Sequence, residues 1–344
     1  MDNTSKDQSV PIVVTMGEPG GVGPELTIKA WRSLRAAGPT FYVLAPIALF
    51  ATHDCPIAEI ATPHEAHAAF ADALPVLPFS GSAKAEAATL GKAQAATASA
   101  VIGSIERAVD DVFTGAAAAI VTNPIHKAAL QEANFQHPGH TEFLGSLCEQ
   151  RTGEPTTPIM MLAGPTLRTV PATIHLPVKE AAASLKAPAL TALLETVRRS
   201  LTRDFGVQAP RIAVSGLNPH AGENGKIGRE DLDVIAPAIA AARSAGVNAI
   251  GPLSADAMFH DAARAAYDAA VCMLHDQALI PIKMLHFYDA VNLTLGLPIV
   301  RASPDHGTAL DIAGQGIARA DSLIAAIKTA RAIADRRAAA NADD

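Results

Sequence analysis

RIAVSGLNPHAGENG, residues 211–225, joins five residues of strand-forming sequence to a turn of three glycines, two asparagines, a proline and one histidine, His220. A lone histidine in such a turn is ordinarily a solvated polar residue. The pattern recurs, however: RTVPATIHLP (168–177) sets His175 after an apolar run, and AAVCMLHDQ (269–277) does the same with His275. Short Val/Ile-rich segments at 11–16, 41–45, 118–123, 158–162, 169–174, 211–216 and 269–274 read as strands. Between them, 24–37, 97–115, 189–205 and 229–246 read as helices. Strands alternating with helices predict an α/β fold with a mostly parallel sheet. In such sheets ligands bind beyond the carboxyl ends of the strands, which is where the three histidines stand.

A chain of 344 residues, 49% of them hydrophobic, has the length of two domains and enough apolar surface for a large core. Twenty-seven basic against 34 acidic side chains, a net charge of −7 without a basic run, excludes a protein that tracks a nucleic-acid backbone. Small anions remain possible partners, since a few local cations bind them. Cys55, Cys148 and Cys272 are isolated and odd in number, which indicates neither a disulfide framework nor a CxxC metal site, and so a reducing compartment. The polar opening MDNTSKDQSV has no signal-peptide pattern and no stretch is apolar for long enough to span a bilayer, so the expectation is a cytoplasmic protein without a membrane partner. The Ala-rich stretches 83–100 and 324–340 read as helix.

Three imidazoles are a suitable donor set for a divalent ion with an open position. The separations of 45 and 55 residues match no local zinc motif, and strand-end histidines also serve as substrate donors. GEPGGVGPE (17–25) follows the first strand and opens the first helix, but contains neither GxGxxG nor GK[ST]. It reads equally as a tight turn and as a turn that approaches a ligand. In HPGHTEF (137–143), Thr141 reads as the N-cap of a helix over FLGSLCEQ, with His140 beside it, where free backbone N–H groups could hold an anion. Lys283, Asn292 and Arg301, nine residues apart, offer cationic and amide contacts to carboxylate or phosphate.

Taken in order, GEPGGVGPE, TNPIHK, GHTEF, TIHLP, GLNPHAGENGKIG, GPLSAD, MLHDQALIPIK and VNLTLGLPIVRASPDHGTALDIAGQG resemble the 4-hydroxythreonine-4-phosphate dehydrogenases of pyridoxal phosphate biosynthesis, from about residue 11 to about 330. The resemblance implies the two-domain fold of the isocitrate and isopropylmalate dehydrogenases, not a Rossmann fold, with an interdomain active-site cleft. One domain would comprise 1–135 plus 306–344, with the cofactor loop, and the other 136–305, with metal, substrate and dimer contacts. It further implies that His175, His220 and His275 ligate one divalent metal (zinc, magnesium or cobalt), and that His140, Thr141, Lys283, Asn292 and Arg301 contact substrate. The loop HGTALDIAGQG (306–316), through His306, Gly307, Thr308, Ala309 and Gly314, would hold NAD or NADP. The family works as a homodimer in which the metal site borrows a ligand from the other subunit.

The implied reaction oxidises the C3 hydroxyl of 4-phosphooxy-L-threonine and decarboxylates the 3-oxo acid to 3-amino-2-oxopropyl phosphate. Lys283, Asp256 and Asp276 are its candidate acid–base residues; either aspartate reads equally as a capping or loop carboxylate. Asn134 stands where the family has glycine, a substitution that a positive φ tolerates. The same motifs also resemble sister dehydrogenases of phosphorylated threonate or erythronate, or of aromatic diols. From other classes, phosphate acyltransferases share the broad fold without needing three histidines at a metal. A catalytically silent phosphometabolite-binding protein would have lost a ligand or Lys283, and neither is missing.

Overall fold

Among the described residues there are twelve strands: β1 (Ile12–Thr15), β2 (Phe41–Leu44), β3 (Ile57–Glu59), β4 (Leu74–Leu77), β5 (Ile120–Thr122), β6 (Ile159–Ala163), β7 (Arg168–Pro171), β8 (Arg211–Ser215), β9 (Asn248–Leu253), β10 (Ala269–Cys272), β11 (Val291–Leu295) and β12 (Arg301–Pro304). They are taken from a computed structural model that describes residues 10–51, 53–137 and 139–342; most of the polar opening, and Asp343 and Asp344, lie outside the described residues. All seven strands read from the sequence are present. β1 and β2 are buried along their whole length, as parallel strands covered on both faces must be.

The chain forms two units, 1–158 with 297–334 and 159–296 with 335–344. In the first, the order β3-β4-β2-β1-β5-β12 is parallel throughout. In the second, β11-β6-β7-β10-β8-β9 is antiparallel from β11 to β7 and parallel beyond. Neither follows the 3-2-1-4-5-6 order of a Rossmann domain.

The divisions expected at 135/136 and 305/306 differ from these limits, and packing gives the reason. Phe143, Leu144, Leu147 and Cys148 join Val13, Tyr42 and Ile105 in one core, which keeps the helix His140–Thr152 in the first unit. Arg301 lies opposite Ile120 in the β12–β5 pairing, which keeps β12 there too. His140, Thr141 and Arg301 therefore belong to the first unit. At the other end, Arg337 donates to the buried Asp204, at 2.8 Å, and ties the tail to the second unit.

Local signals explain most boundaries. The helix Gly23–Leu34 has Pro24 in its first turn, where a fixed φ suits helix entry, and Ala187–Phe205 ends on Gly206 at φ 72. Asn134 has φ 64, the left-handed conformation expected of it. The helix expected over 83–100 is absent: 3₁₀ turns at Ser82–Ala87 and Ala95–Thr97 flank a Thr89–Lys92 bridge. There the Gly91 N–H donates to Gly20 O at 2.8 Å, and this tertiary contact outweighs alanine's helix propensity. The other Ala-rich stretch is helical, within Asp321–Ala342. Among the described residues no helix is long and apolar enough to cross a membrane.

Candidate functional site

β7, β10 and β8 are neighbours in the second unit and run parallel, so their carboxyl ends lie side by side. His175 follows β7 by four residues, His275 follows β10 by three and opens the helix His275–His286, and His220 follows β8 by five. The rings of His175 and His275 are tilted by 43°, with centroids 6.2 Å apart. His275 Nδ1 lies 2.7 Å from Asp276 Oδ1. Asp256 accepts from the Ser254 hydroxyl at 2.5 Å; that bond, with a smaller contribution from the nearby His220 imidazole, holds its carboxyl below the usual range. Among the described residues of this one chain, no three His, Cys, Asp or Glu side chains are grouped closely enough to hold a metal ion.

The loops carrying these histidines are lashed together. Gln277 Oε1 accepts from Leu274 N at 3.0 Å and from Ser215 Oγ at 3.3 Å, while its Nε2 donates to Gly216 O at 3.1 Å. One carboxamide so joins the ends of β8 and β10. Thr173 Oγ1 donates to Met273 O at 2.7 Å and brings in the loop after β7.

The turn bearing His220 is costly. His220, Ala221, Gly222, Glu223 and Asn224 all have positive φ, between 42° and 77°. Each non-glycine residue so placed costs roughly 1 kcal/mol or more, and persists only where its surroundings enforce it. Asp231, which is buried and opens a π-helical turn, Asp231–Ile235, holds the segment leading into this turn. Its carboxylate accepts from Leu217 N at 2.8 Å, Asn218 N at 3.2 Å and Asn218 Nδ2 at 2.8 Å. Sequence reasoning singled out none of Ser215, Asn218, Asp231 or Gln277. Only Gln277 left a readable signal, a side chain three residues past a helix cap.

Lys283 lies two turns beyond His275 on the same helix, its amine 5.9 Å from the Phe287 ring centroid. Asn292 is half-buried on β11 opposite Leu162.

The remaining candidates are in the first unit. Arg301 is buried and donates to Thr122 Oγ1 at 2.7 Å; loss of water pushes its pKa down to about 10, which still leaves it charged at neutral pH. Among the described residues, buried His140 Nε2 has no hydrogen-bond partner. Burial first, then the charges of Arg301 and Lys127, holds this imidazole well below its ordinary pKa and therefore neutral. Thr141 is not the helix cap: Gly139 is, without a side-chain cap, and Thr141 is the second helical residue.

In 306–316, His306 Nδ1 is 2.9 Å from Gly307 O, and Ala309 and Gly314 have φ 42 and 77. Thr308 O accepts from Val22 N at 3.0 Å. A Cβ on Gly20 would lie 2.1 Å from Lys92 O, and one on Gly21 2.8 Å from Thr308 O. Glu25 accepts from Gly316 N at 3.3 Å and Ala318 N at 3.2 Å, while Lys29 donates to Ala318 O at 2.6 Å. The glycines of 17–25 thus serve close approach to the chain's own backbone, bracing 306–316.

Residues 40–330 match the family model described as pyridoxal phosphate biosynthetic protein PdxA. The chain is 48% identical over 339 residues to a 4-hydroxythreonine-4-phosphate dehydrogenase of Bradyrhizobium diazoefficiens, covering 94% of this chain and 97% of that protein. Among solved structures, a 4-hydroxythreonine-4-phosphate dehydrogenase from Klebsiella pneumoniae superposes with TM-score 0.82 at 36% identity, over 96% of this chain and 99% of that one. A terephthalate 1,2-cis-dihydrodiol dehydrogenase from Burkholderia xenovorans does so with TM-score 0.63 at 26% identity, over 93% and 97%. The α/β fold is the one these solved enzymes have, and the chain belongs to the pyridoxal phosphate biosynthetic protein PdxA family as an oxidoreductase of that family.

Proposed function

We propose that the chain oxidises the C3 hydroxyl of 4-phosphooxy-L-threonine with NAD or NADP, and that the 3-oxo acid then loses CO2 to give 3-amino-2-oxopropyl phosphate. The observation that carries this reading is the placement of His175, His275 and His220 past three adjacent parallel strands, in a chain nearly half identical along its length to a dehydrogenase of that name.

By its chemistry, a set of three imidazoles suits a divalent ion such as zinc, magnesium or cobalt, and since no three such side chains are grouped among the described residues of one chain, the set would be completed between copies. Asp276 against His275 Nδ1 would leave Nε2 to hold the ion, the usual carboxylate–histidine support for a ligand. When bound, the ion would supply Lewis acidity toward the C3 oxygen and the nicotinamide, along His306, Gly307, Thr308, Ala309 and Gly314, would accept the hydride.

The chain's own residues bind and orient. Arg301, desolvated but charged, gains most from an anionic partner, which suits the substrate's phosphate or carboxylate. His140, neutral and with Nε2 unpartnered, offers that partner a hydrogen bond without a second charge. Thr141 and Asn292 add neutral contacts, and Lys283 holds or moves a proton at its amine. Asp256 and Asp276 act through His220 and His275. Family members that oxidise other phosphorylated hydroxy acids or diols define the alternative substrates, and the diol dehydrogenase match keeps a diol on the test panel.

The active form is a homodimer with a site shared between copies. Ile280 and Met284, 64% and 74% exposed on the helix that His275 opens, and Phe287, 66% exposed at its C-cap, form an apolar stripe that a second copy would cover beside the histidines. Mixing the inactive variants His220→Ala and His275→Ala tests this. If His275 is contributed across the interface, each mixed dimer regains one intact site, at most about half the wild-type activity per dimer. Mixed dimers verified by mass that remain inactive would contradict it.

A further inference from the structure

We infer that Asp231 is a positioning residue for His220, a role that rests on the three-histidine reading above. Five consecutive left-handed residues, 220–224, form the turn that carries this imidazole. Only one of them is glycine, so the sequence by itself does not favour that shape. The compensating contacts converge on a single carboxylate. Asp231 receives two backbone N–H groups, from Leu217 and Asn218, and the Asn218 side chain, and Asn218 Nδ2 also reaches Glu230 at 2.9 Å.

The neighbouring glycines follow from the same arrangement. A Cβ on Gly216 would lie 2.7 Å from Asp231 Oδ1, and one on Gly222 3.2 Å from Oδ2, so the turn is moulded onto the carboxylate. Three donors face Asp231, which an ionised carboxylate accepts with both oxygens. Asparagine has nearly the same shape but turns an NH2 toward one set of those donors, and so loosens the turn without emptying the space. Asp231 touches no reacting atom; its effect passes through the position of His220.

The test is a double-mutant cycle on the full-length chain, titrated with Co2+ alone by calorimetry, with thermal unfolding followed in parallel. Asp231→Asn is expected to weaken Co2+ binding about tenfold, the scale of a lost outer support to a ligand. His220→Ala should weaken it further, and the double variant should bind as His220→Ala does, because nothing remains for Asp231 to position. A purely structural role for Asp231 would instead lower affinity equally in both backgrounds, and that result overturns the inference. So does wild-type affinity in Asp231→Asn while His220→Ala is weakened. Unchanged affinity in His220→Ala overturns the three-histidine reading itself, and the inference with it. Should Asp231→Asn lose its cooperative unfolding transition, Asn218→Ala, which removes one donor to the same carboxylate, runs the same cycle with a severalfold effect.

Discussion

Two glycine-rich turns follow strands in this protein, and they are held in opposite ways. The turn at 17–25 is shaped by contact of backbone with backbone, Gly20 against Lys92 O and Gly21 against Thr308 O, where a side chain does not fit. The turn at 216–225 is shaped by a side chain, Asp231, which holds the segment leading into its left-handed residues. The first turn is scaffold, since its glycines let one loop brace another. The second carries His220, a metal ligand of the proposed site, on a turn in which Gly222 is the one glycine among five left-handed residues. Glycine content alone does not separate them; what each turn is packed against does.

The largest effect expected from breaking this contrast is at the presented side chain. Replacing His220, His175 or His275 with alanine should lower kcat/KM on the order of a thousandfold or more, the loss of several kcal/mol of charge stabilisation, while the unfolding transition stays close to that of the wild type. Near-normal turnover after chelator treatment in any one of them would remove that residue from the site. Gly20→Ala should act oppositely. Its methyl would collide with Lys92 O, so about 1–3 kcal/mol of stability is lost by denaturant titration while Co2+ affinity is kept.

Gly314→Val sharpens the contrast within the braced loop. Its φ of 77 disfavours any side chain, and a Cβ would lie 2.9 Å from Leu90 Cδ1. The cofactor KM should rise on the order of tenfold, about 1.4 kcal/mol, and more than the substrate KM; the reverse ordering would mean that the loop does not carry the cofactor.

The smallest effect is at His140. Because its folded pKa is depressed, the unfolded chain takes up this proton first as pH falls. Its contribution is therefore constant above about pH 6.5 and is lost as pH drops below that toward the folded value, by at most about 1.4 kcal/mol per pH unit. His140→Gln should flatten that part of the stability profile, and an unchanged slope would show that the imidazole is not held neutral.

The sequence made the α/β alternation legible because strands such as IVVT and RIAVS are short, apolar and closed by turn residues, and the three histidines stood out because each follows such a strand. Strands that break this pattern went unread: β12 begins with the buried Arg301, β4 contains Pro75, and β9 carries Gly251 and Pro252. Residues 83–100 have helical composition, yet Gly91 is held by Gly20, some seventy residues earlier, and no local pattern reports such a contact. Asp231 and Gln277 were invisible for a similar reason. A carboxylate eleven residues beyond His220 looks like any exposed helical residue until its burial and its three donors are seen.

Product stoichiometry tests the central claim most directly. The full-length protein, loaded with Zn2+, Mg2+ or Co2+, is offered 4-phosphooxy-L-threonine, phosphorylated threonate and erythronate, and an aromatic cis-diol, each with NAD and with NADP, while reduced nicotinamide and CO2 are followed together. The account predicts that 4-phosphooxy-L-threonine has the highest kcat/KM, that reduced nicotinamide and CO2 form in equal amounts, and that a chelator abolishes both. Preference for another substrate, or turnover indifferent to the chelator, would contradict it.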